Sequence, residues 1–115
     1  MSFEEMLKSL QREYLSSIPE KIKVIDAQIA AADLANLRES FHKLKGTGRT
    51  YGIPEVSELG ALVEAICIEH PVNAFKAGTI ASAVLCDIYQ AHSAKSAYDF
   101  SKDPRISELQ KLLPK

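Results

Sequence analysis

The chain has 115 residues, 46% apolar and 25% charged, with a net charge of −1; that is one domain's length and the composition of a chain that buries a core, which excludes a disordered segment. Near-neutral charge argues against a nucleic-acid binder working through bulk positive charge, and no apolar run approaches the roughly 18 residues of a membrane span. No signal segment opens the chain, and Cys67 and Cys86 stand alone, without a disulfide framework or a CxxC metal pair, so the expected setting is reducing and cytoplasmic.

Every segment reads with helical period, and alternating β-branched strands with Asn-Gly or Asp-Gly turns are absent. Ser2 and Glu5 have capping-box spacing, and Phe3, Met6, Leu7, Leu10 and Tyr14 follow on one face. Ser17, Pro19 and Glu20 form a second start signal, after which Ile18, Ile22, Ile25 and Ile29 hold one stripe. The two segments read either as separate helices or as one rod kinked near Pro19. Asp33 is the N-cap of the next helix, whose inner stripe is Leu34, Leu37, Phe41, Leu44 and Gly48. Gly52 ends it, and Pro54 opens a helix with Val56, Leu59, Val63 and Ile66 inward, Glu55 and Glu58 at its positive end, and His70-Pro71 closing it. Asn73 is expected to cap the last long helix, with Ala77, Ala81, Val84, Leu85 and Ile88 inward and its end fraying after Tyr98. Asp103-Pro104 starts a short helix carrying Ile106, Leu109, Leu112 and Leu113.

Narrow stripes with short connections predict an all-α fold: an antiparallel four-helix bundle with an N-terminal helical extension and a short C-terminal helix. The expected domain organisation is a single helical domain over 1–115, with its core over about 5–98 and its C-terminal helix over about 103–113. Monomer is the expected state for stripes this narrow.

The chemistry concentrates in residues 38–57. At 100° per residue, Arg38, Lys45 and Arg49 fall within about 60° of His42 on one side, and Gly46 and Ala35 within about 40° on the other. His42 is thus on an outer stripe among three cations and two small residues. A neutral imidazole has a free lone pair and acts as a nucleophile, and the cations suit the oxygens of a phosphoryl group carried on the ring. Glycine inside a helix costs about 1 kcal/mol relative to alanine, so Gly46 and Gly48 need reasons. Gly46, one turn past His42, clears space for a reactant; Gly48 faces the core and lets helices approach. Residues 34–52 carry Arg38, Lys43, Lys45 and Arg49 against Glu39, and residues 53–72 carry four glutamates and no cation. One basic face on a near-neutral chain suits an acidic partner. A lone surface histidine among solvated cations is the plainer reading of the same stripe.

This segment resembles the histidine-phosphotransfer (HPt) domain family, in particular its free-standing bacterial type. The family pattern, His-x-x-Lys-Gly and a glycine six residues on, is matched at His42, Lys45, Gly46 and Gly52. Phe41, the turn Gly52-Ile53-Pro54-Glu55-Val56-Ser57, the upstream Tyr14-Leu15 to Ile22 segment and the Asp33-Leu34 helix start are also similar, so the resemblance spans roughly 5–95.

The resemblance implies a four-helix bundle with His42 exposed on its second helix. It implies that His42 accepts a phosphoryl group from an aspartyl phosphate on a receiver domain and passes it to another receiver's aspartate. The partners implied are receiver domains of hybrid histidine kinases and response regulators. Lys45 is carried over as the cation near the phosphoryl group and Gly46 as the clearance residue. Arg38 and Arg49 join them from the helical wheel as partner-binding residues, and Gly48 and Gly52 are structural. No cofactor and no metal is expected on this chain; Mg²⁺ belongs to the receiver. Neither a P-loop nor a kinase glycine-rich loop is present, so whatever phosphocarrier activity the chain has comes without an ATP site. Alternative functions are a non-catalytic adaptor that binds a receiver and a phosphoacceptor module for a histidine kinase acting in trans. One departure stands out: many members place a polar amide on the following helix near the histidine, where this chain has Glu64. A carboxylate there either points away or bonds the imidazole's other nitrogen.

His70 suits the negative end of its helix, and His92 has no evident partner. Cys67 and Cys86 are expected to be small apolar packers, and Tyr51 core or turn packing.

Overall fold

A computed structural model describes residues 2–113. The helices are α1 (Phe3–Ser16), α2 (Ile18–Ala30), α3 (Leu34–Thr50), α4 (Pro54–Glu69), α5 (Ala74–Ser93) and α6 (Pro104–Lys111), with short 3₁₀ turns at Pro71–Asn73 and Phe100–Lys102. Among the described residues there is no strand. α2 packs on α3 and α5, and α4 packs on the same two, closing a four-helix ring; α6 leans on α5 and α4. The core holds Ile18 and Ile25 of α2, Leu37, Phe41 and Leu44 of α3, Val56, Leu59, Val63 and Ile66 of α4, and Ala77, Ala81, Val84, Leu85 and Ile88 of α5, all at most 2% exposed.

Facing residues give the directions. Along α3 and α4, Gly48 meets Ser57, Lys45 meets Gly60 and His42 meets Glu64, in opposite chain order. Along α2 and α5, Asp26 accepts a hydrogen bond from the buried Ser82 hydroxyl (2.7 Å), and Ile29 meets Gly78. Both pairs are antiparallel, as short connections require.

Backbone approach is tightest between α3 and α4. A Cβ built on Gly48 would lie 2.5 Å from the Ser57 backbone nitrogen, and one on Gly60 would lie 2.5 Å from the Lys45 nitrogen and 2.7 Å from the Phe41 carbonyl oxygen. Neither helix admits a methyl group there. The Ser57 hydroxyl completes the seam by donating to the Lys45 carbonyl at 2.6 Å. Gly46 has nothing within 4 Å of such a Cβ. Gly52, at φ +76°, takes the left-handed conformation just past α3 that closes many helices.

Several local expectations are corrected. Ser17 separates α1 from α2 but makes no side-chain cap; its hydroxyl donates to the Tyr14 carbonyl and accepts from Lys21. Asn73 makes no side-chain cap either, its amide donating instead to the Leu112 carbonyl at 3.1 Å. α5 ends at Ser93, not after Tyr98. Of the α1 stripe only Tyr14 is buried, while Phe3, Met6, Leu7 and Leu10 stay exposed. Tyr14 stacks on Tyr51 (centroids 4.8 Å apart), and its hydroxyl bonds Thr47 at 2.8 Å; Gln11 donates to the Tyr51 and Gly52 carbonyls. α1 is therefore pinned by its C-terminal half to the end of α3. Ser2, Asp33 and Asp103 do cap their helices, accepting from Glu5, Asn36 and Arg105 respectively.

α6 is held by charge as well as by Ile106 and Leu109. Arg105 binds Asp103 and reaches Asp87 of α5 at 2.6 Å, while the Tyr98 hydroxyl donates to Asp103 at 2.6 Å. The Arg105 guanidinium holds the Asp103 carboxyl well below the usual carboxylate range, against the opposing effect of burial. Burial, then the bond to Asp103, push the Tyr98 phenol up.

Two stability predictions follow from this packing. Gly48→Ala and Gly60→Ala should each lower the unfolding free energy by about 1–3 kcal/mol, the usual range for overpacking. Gly46→Ala, in open space, should raise it by about 0.5–1 kcal/mol through helix propensity. Urea unfolding of the three variants checks both signs. Because Asp103 has a lowered folded-state value, its contribution is whole above about pH 4 and is lost as pH falls below that. Asp103→Asn should cost about 1–3 kcal/mol at neutral pH, and its melting temperature should fall less steeply than the wild type's on acidification; equal slopes would refute the assignment.

Candidate functional site

The site is built on the solvent face of α3, directly above the α3–α4 seam. Phe41 and Leu44 are buried, which turns His42 and Lys45 outward by the helical period. The His42 side chain is 60% exposed and that of Lys45 47%. From α4, Glu64 reaches across with only 14% of its side chain exposed; its Oε2 lies 2.5 Å from His42 Nδ1 and its Oε1 3.4 Å from Lys45 Nζ. Gly60 lies one turn before Glu64 on α4, so the close approach it permits is what brings the carboxylate within reach of the ring.

Of the two arrangements open to Glu64 from sequence, the structure therefore takes the second. The ring's surroundings are not purely cationic: a carboxylate occupies Nδ1 and links the ring to Lys45. This leaves Nε2, on the ring's other side, for a reactant. A carboxylate accepts and does not donate, so the bond fixes the neutral ring as the tautomer with its proton on Nδ1.

The remaining expected residues divide by distance from the ring. Gly46 is exposed one turn beyond His42, with open space where a side chain would stand. Arg38 is exposed one turn before it. Arg49 is exposed seven residues on, about 10 Å along the axis, and shares a shallow depression with Leu7, Leu10 and Gln11 of α1. Lys45 is the cation in direct contact with the His42–Glu64 pair, and Arg49 lies too far along the helix to touch it. Gly48 and Gly52 hold the framework, as described above.

Beneath the site, burial pushes the Cys67 thiol up, with Arg38 opposing and Glu64 reinforcing; such a thiol is inert. His92 does have a partner: its Nε2 lies 3.0 Å from Glu55 Oε2, tying the end of α5 to the start of α4. Nothing in the spacing of those two residues signalled that pair. Gly60, well inside α4, carries the same helix penalty as Gly48, and that penalty is the signal in the sequence that marks it. Among the described residues no three of His, Cys, Asp and Glu gather as a metal site, and no helix is long and apolar enough to cross a membrane.

Residues 9–95 match the Hpt domain among known protein families, so the match covers the four-helix ring and the site and stops before α6. No match was found among curated proteins or among solved structures. With an outward histidine and its lysine on the second helix of a four-helix ring, and with the family match over most of its length, the chain belongs to the Hpt domain family, whose role is histidine phosphotransfer in two-component signalling.

Proposed function

We propose that His42 is the phosphoacceptor of a relay: its Nε2 takes a phosphoryl group from an aspartyl phosphate on one receiver domain and delivers it to the aspartate of another. The observation that carries this reading is the exposed His42 ring, whose Nδ1 is taken by Glu64 and whose Nε2 is left for a reactant. Phosphoryl transfer asks little covalent chemistry of the protein beyond positioning and charge stabilisation, and the site supplies both.

In this reading the seam holds the ring in place, and Lys45, loosely engaged at 3.4 Å, turns from Glu64 to the phosphoryl oxygens. Gly46 lets the receiver's backbone come close. Arg38 and Arg49 face the acidic pocket that holds the receiver's Mg²⁺, and steer the encounter by charge. The exposed Leu7 and Leu10 beside Arg49 add the apolar surface that an interface core needs. This chain contributes the carrier nitrogen and no metal or cofactor.

The test mixes the protein with a panel of receivers bearing labelled aspartyl phosphate and follows label over seconds to minutes. Wild type should be labelled by at least one receiver and His42→Gln by none. Lys45→Ala should slow transfer by about tenfold or more, the value of a lost hydrogen bond to a charged group. Gly46→Leu should slow it while leaving the fold intact by circular dichroism. Label on His42→Gln would place the acceptor elsewhere. A receiver that binds wild type and His42→Gln equally and transfers to neither would establish an adaptor instead.

A further inference from the structure

We propose that α1 is a dimerisation helix: two copies of the chain associate about a two-fold axis, with their α1 helices antiparallel. Phe3, Met6, Leu7 and Leu10, four exposed apolar side chains, form one stripe on this helix. Residues 2–8 are all exposed, so the first two turns of α1 project from a molecule whose longest dimension is 47 Å. Helical turns without tertiary cover are marginal in water. The narrow stripes that predict a monomer are the inner ones of the bundle, and this outer stripe is separate from them.

A partner centred on His42 covers only one end of the stripe. α1 runs antiparallel to α3: Tyr14 meets Thr47, and Gln11 meets the Tyr51 and Gly52 carbonyls. Helical rise then sets Leu10 about 16 Å and Phe3 roughly 27 Å along the axis from His42. A standard interface of about 800 Å² per partner has a radius of roughly 16 Å. Such a footprint reaches the Leu10 end and leaves Phe3 and Met6 bare.

A second copy covers all of it. The order Phe3, Met6, Leu7, Leu10 has the same spacing read in either direction. An antiparallel pair therefore sets Phe3 against the partner's Leu10 and Met6 against the partner's Leu7, and the two-fold makes each contact twice. The same register puts Glu5 level with the partner's Lys8 and Glu4 level with the partner's Ser9, so no like charges share a level. The partner's Phe3 enters the shallow depression that Leu7, Leu10 and Gln11 form with Arg49. Its acidic first turn then lies beside the cations of Lys8 and Arg49 on the rim, which is complementary charge. The four side chains expose roughly 400 Å² per copy, and the symmetric contact with its flanking groups buries about 1,000 Å² in all, the lower bound for a specific interface. His42 lies about 10 Å beyond Arg49 along α3 and stays outside the contact in both copies. In the proposed relay a receiver uses the Leu7–Leu10 end of the same stripe, so receiver and second copy exclude one another there. The dimer itself does not rest on that reading.

The experiment is sedimentation equilibrium of the full chain, with no receiver present. Wild type should move from its monomer mass of 12.7 kDa toward twice that value between about 10 and 500 µM, the range expected of so small an interface. Met6→Glu and Leu7→Lys each put a charge at the two-fold centre, and each alone should stay monomeric throughout. Mixed, the two should form a heterodimer, because the register sets the introduced carboxylate against the introduced ammonium. Met6→Glu mixed with Phe3→Lys, two positions that the register keeps apart, should stay monomeric. Since these positions are exposed, circular dichroism and thermal melting of the variants should match the wild type. Wild type that remains at 12.7 kDa at every concentration overturns the proposal. Association that survives Met6→Glu overturns it too, by placing the contact on another face. Failure of the Leu7→Lys mixture to associate, or rescue by the Phe3→Lys mixture, denies the antiparallel register and sinks the arrangement.

Discussion

The contact on which the rest of the molecule depends is the backbone approach of α3 and α4. Two glycines make it, one from each helix: Gly48 lies against the Ser57 backbone and Gly60 against that of Phe41 and Lys45. With two such points on one seam, sliding α4 along α3 would bring residues with a Cβ to the points of closest approach, where only glycine fits. The register of every other facing pair follows, including His42 with Glu64. A rigid scaffold beneath a reactive side chain is what precise positioning requires, and here the scaffold is made from the absence of side chains.

Gly46 and Gly48, two residues apart on one helix, show how the same residue type serves opposite ends. Gly48 is buried and its missing side chain is filled by a neighbouring backbone; Gly46 is exposed and its missing side chain stays empty. The first converts a loss of helix propensity into packing. The second leaves the loss uncompensated inside the chain, which is the pattern expected where local stability is given up for access. The tension is relieved elsewhere: Ser57 bonds the Lys45 carbonyl, Thr47 bonds Tyr14, and Gln11 ties α1 to the carbonyls at the end of α3.

Legibility in the sequence followed the kind of interaction. The helices and the inner stripes of α3, α4 and α5 were readable because burial repeats with the helical period, and the outward stripe of His42, Lys45 and Gly46 is the complement of that pattern. The α1 stripe reads equally well, yet Phe3, Met6, Leu7 and Leu10 stay exposed. Periodicity reports that a face is apolar, not that this chain covers it. Ser17 and Asn73 fit cap preferences, but tertiary or local partners took their side chains. The His92–Glu55 pair joins residues 37 apart on two helices, and only the assembled bundle brings them within 3.0 Å. Glu64 lies between these cases: its register near His42 came from the resemblance to the family, and whether it pointed in or out was not readable, because that depends on how closely the backbones approach.

The outcome for Glu64 alters how the basic face is to be understood. Cations alone would hold a phosphoryl group and make the ring's cationic form costly, so capture and release would pull against each other. Glu64 separates the two requirements in space. The anion sits on the inner nitrogen, 14% exposed and held by the seam, and in the proposed relay it is the group that faces charge on the ring. Lys45, nearly half exposed and at the longer distance of 3.4 Å from Glu64, is in the proposed relay the partner for the phosphoryl oxygens. A largely covered acceptor is harder for water to displace, whereas an exposed lysine can leave its contact at little cost. In the proposed relay, this division of labour between a largely buried carboxylate and an exposed ammonium is what would let one small face both receive a phosphoryl group and give it up.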